Sequence, residues 1–322
     1  MPEPSGHVRV GIDVGGTFTD AVLVDRSGTL HIAKVPSTPD DVSTGFLEGL
    51  GVLEARSGVP ATEIDFLAHG TTVATNALVQ DRLARAGLVT NRGFRDMLEI
   101  GTQQRRHVYD LWSPEPAPVV PRDRCVEVSG RIGPEGQELE ALDESTVVEA
   151  AAALREAGVE SVAVVLLFSF LNPDHERRVA EILVRELPGI PVTISSDVAP
   201  EIREYLRAST TAVNAALLPL VGGYVARLAE AVAARGVRVP VYLMRSNGGL
   251  AAARTAQDLP VSLVTSGPAA GVVAAARLAA AAGLPDLLTF DMGGTTADLA
   301  VVIDGQPQVR WIGEQSGHRV NL

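Results

Sequence analysis

The segment GIDVGGTFTDAVLVDRSG, residues 11–28, decides the beginning of the predicted fold. Apolar residues run up to Asp13, which predicts a strand that ends on a carboxylate. Glycines and a threonine then turn the chain, and a second apolar stretch up to Asp25 predicts the returning strand of a hairpin. The segment LHIAKVPS, residues 30–37, predicts a third antiparallel strand. We therefore expect a sheet that starts with three neighbouring strands in chain order.

The same arrangement of residues occurs a second time, in TFDMGGTTADLAVVIDGQ, residues 289–306. Each copy places an aspartate after an apolar strand, continues through Gly-Gly-Thr and carries a second aspartate in the next strand. Five of the eight positions from the first to the second aspartate are identical. The matched residues are Asp13, Gly15, Gly16, Thr17 and Asp20 in the first copy and Asp291, Gly293, Gly294, Thr295 and Asp298 in the second. The repeat predicts two related lobes.

The repeated turn suits the binding of a phosphate chain together with a metal ion. Glycines permit positive φ and close approach of a ligand, and successive N–H groups in a turn form an anion-binding concavity. An aspartate at the strand end repels phosphate directly, but it suits Mg²⁺ held mostly through water. Two such turns facing each other would hold a polyphosphate from both sides. The alternative is a pair of ordinary β-hairpins, because Asp-x-Gly-Gly turns are common.

The middle of the chain alternates predicted strands and helices, which favours a partly parallel α/β layer. Helices are predicted over 143–158 and 172–187, and strands over 161–170 and 191–198. A long helical region, 203–236, contains Pro219 and the pair Gly222–Gly223, and we expect an interruption there. Residues 265–283 predict a helix of very small side chains, which would allow another backbone to pack closely.

Length and charge limit the classes of function. A chain of 322 residues predicts about two domains, and we divide it at 7–187, 188–285 and 286–322. The net charge of −12 argues against a nucleic-acid or anionic-membrane surface. Cys125 is the one cysteine, so no internal disulfide is expected, and a buried small apolar role is the better interpretation. The first residues lack the features of a signal peptide, and the apolar run 161–171 is too short to span a bilayer, so we expect a cytoplasmic protein.

Both repeated segments resemble the phosphate motifs of the actin, sugar-kinase and Hsp70 superfamily. Further stretches are similar, in order and approximate spacing, to the hydantoinase A/5-oxoprolinase family. These stretches are HGTTVATNALV (69–79), NRGFRDMLEIG (91–101), YDLW (109–112), MRSNGGL (244–250) and SGPAAGV (266–272). The resemblance implies an α/β fold, namely an RNase H-like lobe of the actin/hexokinase type with a mixed sheet flanked by helices and a second lobe only begun.

The family resemblance also implies an activity: ATP-dependent opening of a cyclic amide or imide, such as a hydantoin or 5-oxoproline. ATP would phosphorylate the carbonyl oxygen, which turns that oxygen into a leaving group. The implied cofactors are ATP and Mg²⁺, and the implied partner is a second, hydantoinase B-type subunit or domain. Three alternatives stay open: a ketone carboxylase subunit, a small-molecule kinase and a non-catalytic nucleotide-binding scaffold.

The resemblance assigns roles to the repeated residues. Asp13 and Asp291 are the expected catalytic and metal-binding carboxylates. The remaining matched residues of both turns, together with Ser266 and Gly267, are expected to bind the nucleotide. Alternatively, Asp20 and Asp298 brace their turns through hydrogen bonds to the backbone. His69 is a tempting general base, but a structural histidine is the better interpretation. Family members continue well beyond the second motif, so we expect this chain to be a fragment, a truncated gene product or one piece of a split protein, without the adenosine-binding segment and without full activity of its own.

Overall fold

The computed structural model describes residues 6–38, 41–104, 108–110, 112, 117–292, 297–309, 312–315 and 317–321. The chain forms two compact units. One comprises Met1–Asn76 and Val221–Arg310, and the other comprises Ala77–Leu220 and Trp311–Leu322.

Strands and helices alternate along the described chain. The strands are β1 (Arg9–Val14), β2 (Phe18–Val24), β3 (Leu30–Pro36), β4 (Phe66–Thr71), β5 (Ala86–Asn91), β6 (Cys125–Val128), β7 (Arg131–Ile132), β8 (Glu138–Glu140), β9 (Ser161–Val165), β10 (Val192–Ile194), β11 (Val241–Met244), β12 (Leu250–Ala252), β13 (Leu287–Met292), β14 (Ala297–Ile303), β15 (Gln306–Pro307), β16 (Ile312–Gln315) and β17 (His318–Asn321). The α-helices are α1 (Val42–Ser57), α2 (Val73–Val79), α3 (Met97–Ile100), α4 (Glu144–Glu156), α5 (Asp174–Glu186), α6 (Ser195–Val198), α7 (Glu204–Leu217), α8 (Gly223–Ala234), α9 (Ala253–Asp258) and α10 (Ser266–Ala281). Short 3₁₀ turns span Ala61–Glu63, Arg122–Arg124 and Pro260–Leu263.

The first unit contains a mixed six-stranded sheet with the order β12-β11-β4-β1-β2-β3. Strands β1, β2 and β3 pair antiparallel in chain order, which confirms the predicted start of the fold. Strand β4 lies parallel to β1 on its other side, and β11 lies parallel to β4. Helix α1 covers one face of this sheet with Phe46, Leu50 and Leu53, all fully buried. The mixed order leaves the carboxyl ends of β1, β4 and β11 at a common edge.

The second unit contains a parallel four-stranded sheet with the order β10-β9-β5-β6. The predicted buried strand over 161–170 is shorter than expected, because β9 ends at Val165. Two side chains explain the end of this strand. The Glu176 carboxylate accepts the Leu166 N–H at 2.8 Å, and the Asn91 side-chain oxygen accepts the Leu167 N–H at 2.7 Å. Residues 166–171 therefore form turns instead of continuing the ladder.

The long helical region is interrupted where the sequence predicts it. Between α7 and α8, Leu218–Gly222 forms a π-helical turn that contains Pro219. The boundary between the two compact units falls inside this turn, after Leu220. The joined segment Glu204–Ala234 is long and apolar enough to match a membrane span by length and composition alone, but 56% of its most apolar window is buried inside the protein. That degree of burial is also what a core helix shows.

A three-stranded sheet, β13-β14-β15, ends the first unit. One of its faces, with Val302 buried, packs against α10. The other face carries large apolar side chains that are about half to two-thirds exposed. These are Leu288, Phe290, Met292, Leu299, Val301 and Ile303. We call this surface the open apolar face.

Candidate functional site

The candidate site lies in the first unit, where the parallel strands β1 and β4 end. Asp13 is aligned with Gly70, and Val14 with Thr71. Ligands of open α/β sheets bind at the carboxyl ends of strands, so this edge is the expected position of a site. Gly70 leaves room for the Asp13 side chain, because a Cβ on Gly70 would lie 2.5 Å from Asp13 Oδ1. The sequence interpretation missed this role, although a glycine directly after a buried strand is a signal for close approach.

Asp13 has an unusual electrostatic environment. Water reaches its side chain, but the protein atoms crowded around the carboxyl still remove part of its solvation. This partial burial is the main reason why the pKa of Asp13 is raised, and the negative charges of Asp20 and Asp291 raise it further. Like charges near a carboxylate favour its protonated form.

The second aspartate of the first copy has a different partner. Asp20 lies opposite Asp13 on β2, but the Lys34 ammonium donates to both oxygens of Asp20, at 2.8 and 2.9 Å. Bracing of the turn through the backbone was the expected alternative role of Asp20, and the observed partner is instead this side chain on β3. Sequence reasoning missed Lys34. The available signal was that it is the single lysine of the chain.

The second hairpin repeats the register of the first. Asp291 on β13 is aligned with Asp298 on β14, as Asp13 is aligned with Asp20. The charge of Asp291 acts on Asp13, so the structure brings the first aspartates of both copies near each other. Three predicted nucleotide-binding residues of the second turn, Gly293, Gly294 and Thr295, lie outside the described residues.

The turn between β1 and β2 is tight, but it does not use left-handed backbone. The Gly15 N–H donates to the Phe18 carbonyl at 3.1 Å. Neither Gly15 nor Gly16 has positive φ, so the expected conformational reason for these glycines is wrong. The space that these residues leave beside the backbone is a better explanation for glycine at these positions. A Cβ on Gly16 would meet no atom within 4 Å, and Gly16 and Thr17 are exposed, so a ligand can approach this backbone closely.

Ser266 and Gly267 form the first turn of α10, next to the end of β4. The Ser266 hydroxyl is buried and donates to the Thr71 carbonyl at 3.2 Å, so its side chain anchors the helix. Thr265 precedes the helix with φ of 60°, and its N–H donates to the Thr75 hydroxyl at 2.9 Å. These contacts fix the amino end of α10 beside Thr71, with the positive end of the helix dipole at the edge that carries Asp13.

His69 is a structural residue, as the sequence favours. It is 1% exposed, its Nδ1 lies 3.1 Å from the Ile12 carbonyl oxygen, and its Nε2 lies 2.6 Å from the Tyr224 hydroxyl. A carbonyl only accepts, so Nδ1 carries the proton and Tyr224 donates to Nε2. Burial lowers the pKa of His69 to about 4. A neutral imidazole with both nitrogens occupied cannot serve as a general base.

Cys125 and the metal-ligating residue types add no further site in the described part of the chain. Cys125 is buried, and burial raises the pKa of its thiol to about 12, which confirms the apolar interpretation. No group of three or more histidine, cysteine, aspartate or glutamate side chains is arranged as a metal cage among the described residues. A metal at this site would need ligands from a bound molecule or from water.

Comparison with known proteins identifies the family. Residues 9–187 match the hydantoinase/oxoprolinase N-terminal region, and residues 207–322 match the hydantoinase/oxoprolinase family. The chain belongs to the hydantoinase/oxoprolinase family. Among its curated relatives, the caprolactamase subunit alpha of Pseudomonas jessenii is 37% identical over 92% of this chain and 44% of its own length. The 5-oxoprolinase of Saccharomyces cerevisiae is 30% identical over 94% of this chain and 26% of its own length.

Solved structures confirm the fold of this hydantoinase/oxoprolinase chain. A nucleotide-free acetone carboxylase, from a study of ATP-dependent acetone carboxylation, superposes with a TM-score of 0.89 at 28% identity and covers 98% of the chain. The ATP-dependent caprolactamase from Pseudomonas jessenii superposes with a TM-score of 0.83 at 34% identity, also over 98%. The chain spans 47% and 46% of those two chains. The predicted mixed α/β fold is therefore correct.

Proposed function

We propose that this chain binds Mg·ATP with its two aspartate hairpins, as part of an enzyme that opens cyclic amides at the expense of ATP. The observation that carries the proposal is the repeated register, Asp13 opposite Asp20 and Asp291 opposite Asp298. Hairpins with the same strand register, in which the charge of one leading aspartate acts on the other, are suited to contact one charged ligand from two directions. Relatives that are named as ATP-dependent support this interpretation.

The residues of the site fit Mg²⁺ carried by a nucleotide. Mg²⁺ prefers oxygen ligands, keeps several waters and is usually held by one or two carboxylates plus phosphates. Asp13 and Asp291 would supply those carboxylates, and the lack of a three-ligand protein cage in the described residues agrees with such a shared site. When bound, the metal neutralises phosphate charge. Asp13, whose carboxylate is partly desolvated, would accept hydrogen bonds from the hydrated metal ion.

Donors for the phosphate oxygens come from two backbone segments. The exposed residues Gly16 and Thr17 present their backbone to the solvent without side-chain obstruction at Gly16. The amino end of the 16-residue helix α10 presents the N–H groups of Ser266 and Gly267, held in place by the contact of Ser266 with Thr71. Helix amino ends and open turns both favour anions.

For the reaction, we propose transfer of the terminal phosphoryl group of ATP to the carbonyl oxygen of a lactam or imide. The role of the chain is to orient the nucleotide and balance its charge. Relatives named caprolactamase and 5-oxoprolinase support the substrate class. Curated relatives named as subunits, such as caprolactamase subunit alpha, support a second, hydantoinase B-type partner. A cytoplasmic location remains a proposal.

ATP-dependent carboxylation of a ketone is the second candidate. It is favoured by the TM-score of 0.89 to acetone carboxylase and by 33% identity to the acetophenone carboxylase gamma subunit of Aromatoleum aromaticum. The two candidates share the nucleotide site and differ in the carbonyl compound. The small-molecule kinase and the non-catalytic scaffold of the sequence analysis have no comparable support.

The experiment has two stages. Calorimetric titration of the chain with Mg·ATP should give one site, and an Asp13→Ala, Asp291→Ala double variant that still folds should give none. Phosphate release by the chain together with its hydantoinase B-type partner is then measured with 5-oxoproline, hydantoin, caprolactam or acetone present. Stimulation by a cyclic amide supports the first candidate, and stimulation by acetone alone supports the second. Equal Mg·ATP affinity in the wild-type chain and the double variant refutes the assigned site.

A further inference from the structure

The single lysine of the chain lies at the candidate site. The chain contains 27 basic residues, and all of them except Lys34 are arginines. Within the described residues, the ion pair between Lys34 and Asp20 is the one that includes any of the four matched aspartates of the two hairpins. The ammonium also lies 4.9 Å from the centre of the Phe18 ring.

The register of the sheet places Lys34 in line with the site. Gly70, Asp13, Asp20 and Lys34 are aligned with one another across the adjacent strands β4, β1, β2 and β3. Directly opposed residues point to the same face of a sheet, so the three side chains form one row that begins at the Gly70 gap. All three side chains are exposed. A ligand that reaches Asp13 on this face therefore comes within about two strand spacings, roughly 10 Å, of the Lys34 backbone.

We propose that Lys34 is a phosphate-contacting residue, whose ammonium exchanges Asp20 for a phosphate oxygen when Mg·ATP binds. The inference rests on the proposed function and deepens it by naming the cation. The exchange is energetically easy, because the side chains of Lys34 and Asp20 are 54% and 52% exposed and exposed ion pairs contribute little to stability. A phosphate chain carries more negative charge than one carboxylate and competes well for the ammonium.

The choice of lysine agrees with such a moving contact. Arginine holds a carboxylate through two parallel hydrogen bonds in a fixed planar geometry. Lysine is a compact charge on a flexible stem, and its three donors can be redirected without loss of a planar fit. All the remaining basic residues of the chain are arginines. Position 34 therefore carries the one basic side chain type that can readily leave Asp20.

The uniqueness of Lys34 permits a direct test by chemical labelling. An ATP derivative with an acyl group on its terminal phosphate acylates amines that lie next to that phosphate: the amine attacks the acyl carbon, an amide forms, and the acyl–phosphate bond breaks with release of ATP. The expected result is one Mg²⁺-dependent amide per chain at Lys34, suppressed by unmodified Mg·ATP. Peptide mapping distinguishes Lys34 from the α-amino group. The Lys34→Arg variant should show no amide at position 34.

Affinity measurements complete the test. Lys34→Met should weaken Mg·ATP binding about tenfold with an unchanged melting temperature, and Lys34→Arg should recover part of that loss. The matched control is Arg26→Met, which removes an exposed cation 3.8 Å from Glu63 and should leave the affinity unchanged. Normal Mg·ATP binding with neither labelling at Lys34 nor an effect of Lys34→Met overturns the lysine contact and leaves the proposed function standing. Absence of Mg·ATP binding by the wild-type chain overturns both.

Discussion

Replacing Gly70 with alanine should weaken nucleotide binding and leave the fold intact. The new Cβ would lie 2.5 Å from Asp13 Oδ1, whereas its next neighbours, Asp13 Cγ and Cβ, are 3.4 and 3.6 Å away. Ordinary non-bonded contacts lie near 3.5–4.0 Å, so only the outer oxygen must move. Rotation of the Asp13 carboxylate away from Gly70 is the simplest relief.

The contacts of Asp13 allow an estimate of the effects of Gly70→Ala on stability and on nucleotide binding. Rotation of an exposed carboxylate costs less than about 1 kcal/mol, which lowers the melting temperature by about 2–4 °C at most for domains of this size. The displaced carboxylate would lose its proposed charge-assisted contact with the hydrated metal ion, which would be worth about 1.5–3 kcal/mol. The Kd for Mg·ATP should therefore rise about 10- to 150-fold.

Calorimetric titration with Mg·ATP and thermal unfolding measure the two quantities separately. Gly11→Ala is the matched control, since Gly11 lies two residues earlier on β1, on the same face as Asp13, and its Cβ would meet no atom within 4 Å. The control should bind like wild type. Wild-type affinity in Gly70→Ala, or equal weakening in both variants, would show that the Gly70 gap does not position Asp13.

Three further predictions concern stability. Asp13→Asn should stabilise the fold at pH 7, because the pKa of Asp13 is raised in the folded protein. The gain should be less than about 1 kcal/mol, since water screens the site. In urea unfolding it should disappear below about pH 4, where Asp13 of the wild type is protonated in both the folded and the unfolded state. The pKa of His69 is lowered to about 4 in the folded protein, so His69 takes up a proton on unfolding. The free energy of unfolding should therefore fall by up to about 3 kcal/mol as the pH drops from about 6.5 towards 4. The His69→Asn variant should lack this part of the pH dependence. Phe290→Ser on the open apolar face, where Phe290 is 62% exposed, should leave the free energy of unfolding nearly unchanged, whereas Val302→Ala, at a residue 1% exposed, should lower it by about 2 kcal/mol.

Local patterns predicted the parts of the fold that depend on residues close in sequence. The alternation around Asp13 fixed the first hairpin, and the repeat fixed its second copy with the same register. The position of Pro219 and two glycines fixed the break in the long helix. In each case the signal and its structural effect lie within about ten residues.

Features that depend on distant partners could not be predicted in this way. The end of β9 at Val165 depends on Asn91, from a strand more than seventy positions earlier, and on Glu176 from the following helix. The pairing of Asp20 with Lys34 depends on the register between β2 and β3. The gap above Gly70 exists only because β4 lies parallel to β1. The hydrophobic periodicity of the sequence carries no information about these alignments between strands.

The charge of the site explains why the four aspartates cannot share one role. Four carboxylates and one ammonium, four minus one, leave a formal charge of −3 on the two hairpins if all are ionised. A triphosphate would be repelled by that charge. Lys34 neutralises Asp20 in the free protein, so the uncompensated charge lies at Asp13, Asp291 and Asp298, and the charge of Asp291 adds to the cost of ionising Asp13. A divalent cation carried by the phosphates removes this cost, whereas the nucleotide alone increases it. We therefore expect the site to favour Mg·ATP over free ATP, because the negative charges of Asp20 and Asp291 add to the cost that partial burial places on ionising Asp13.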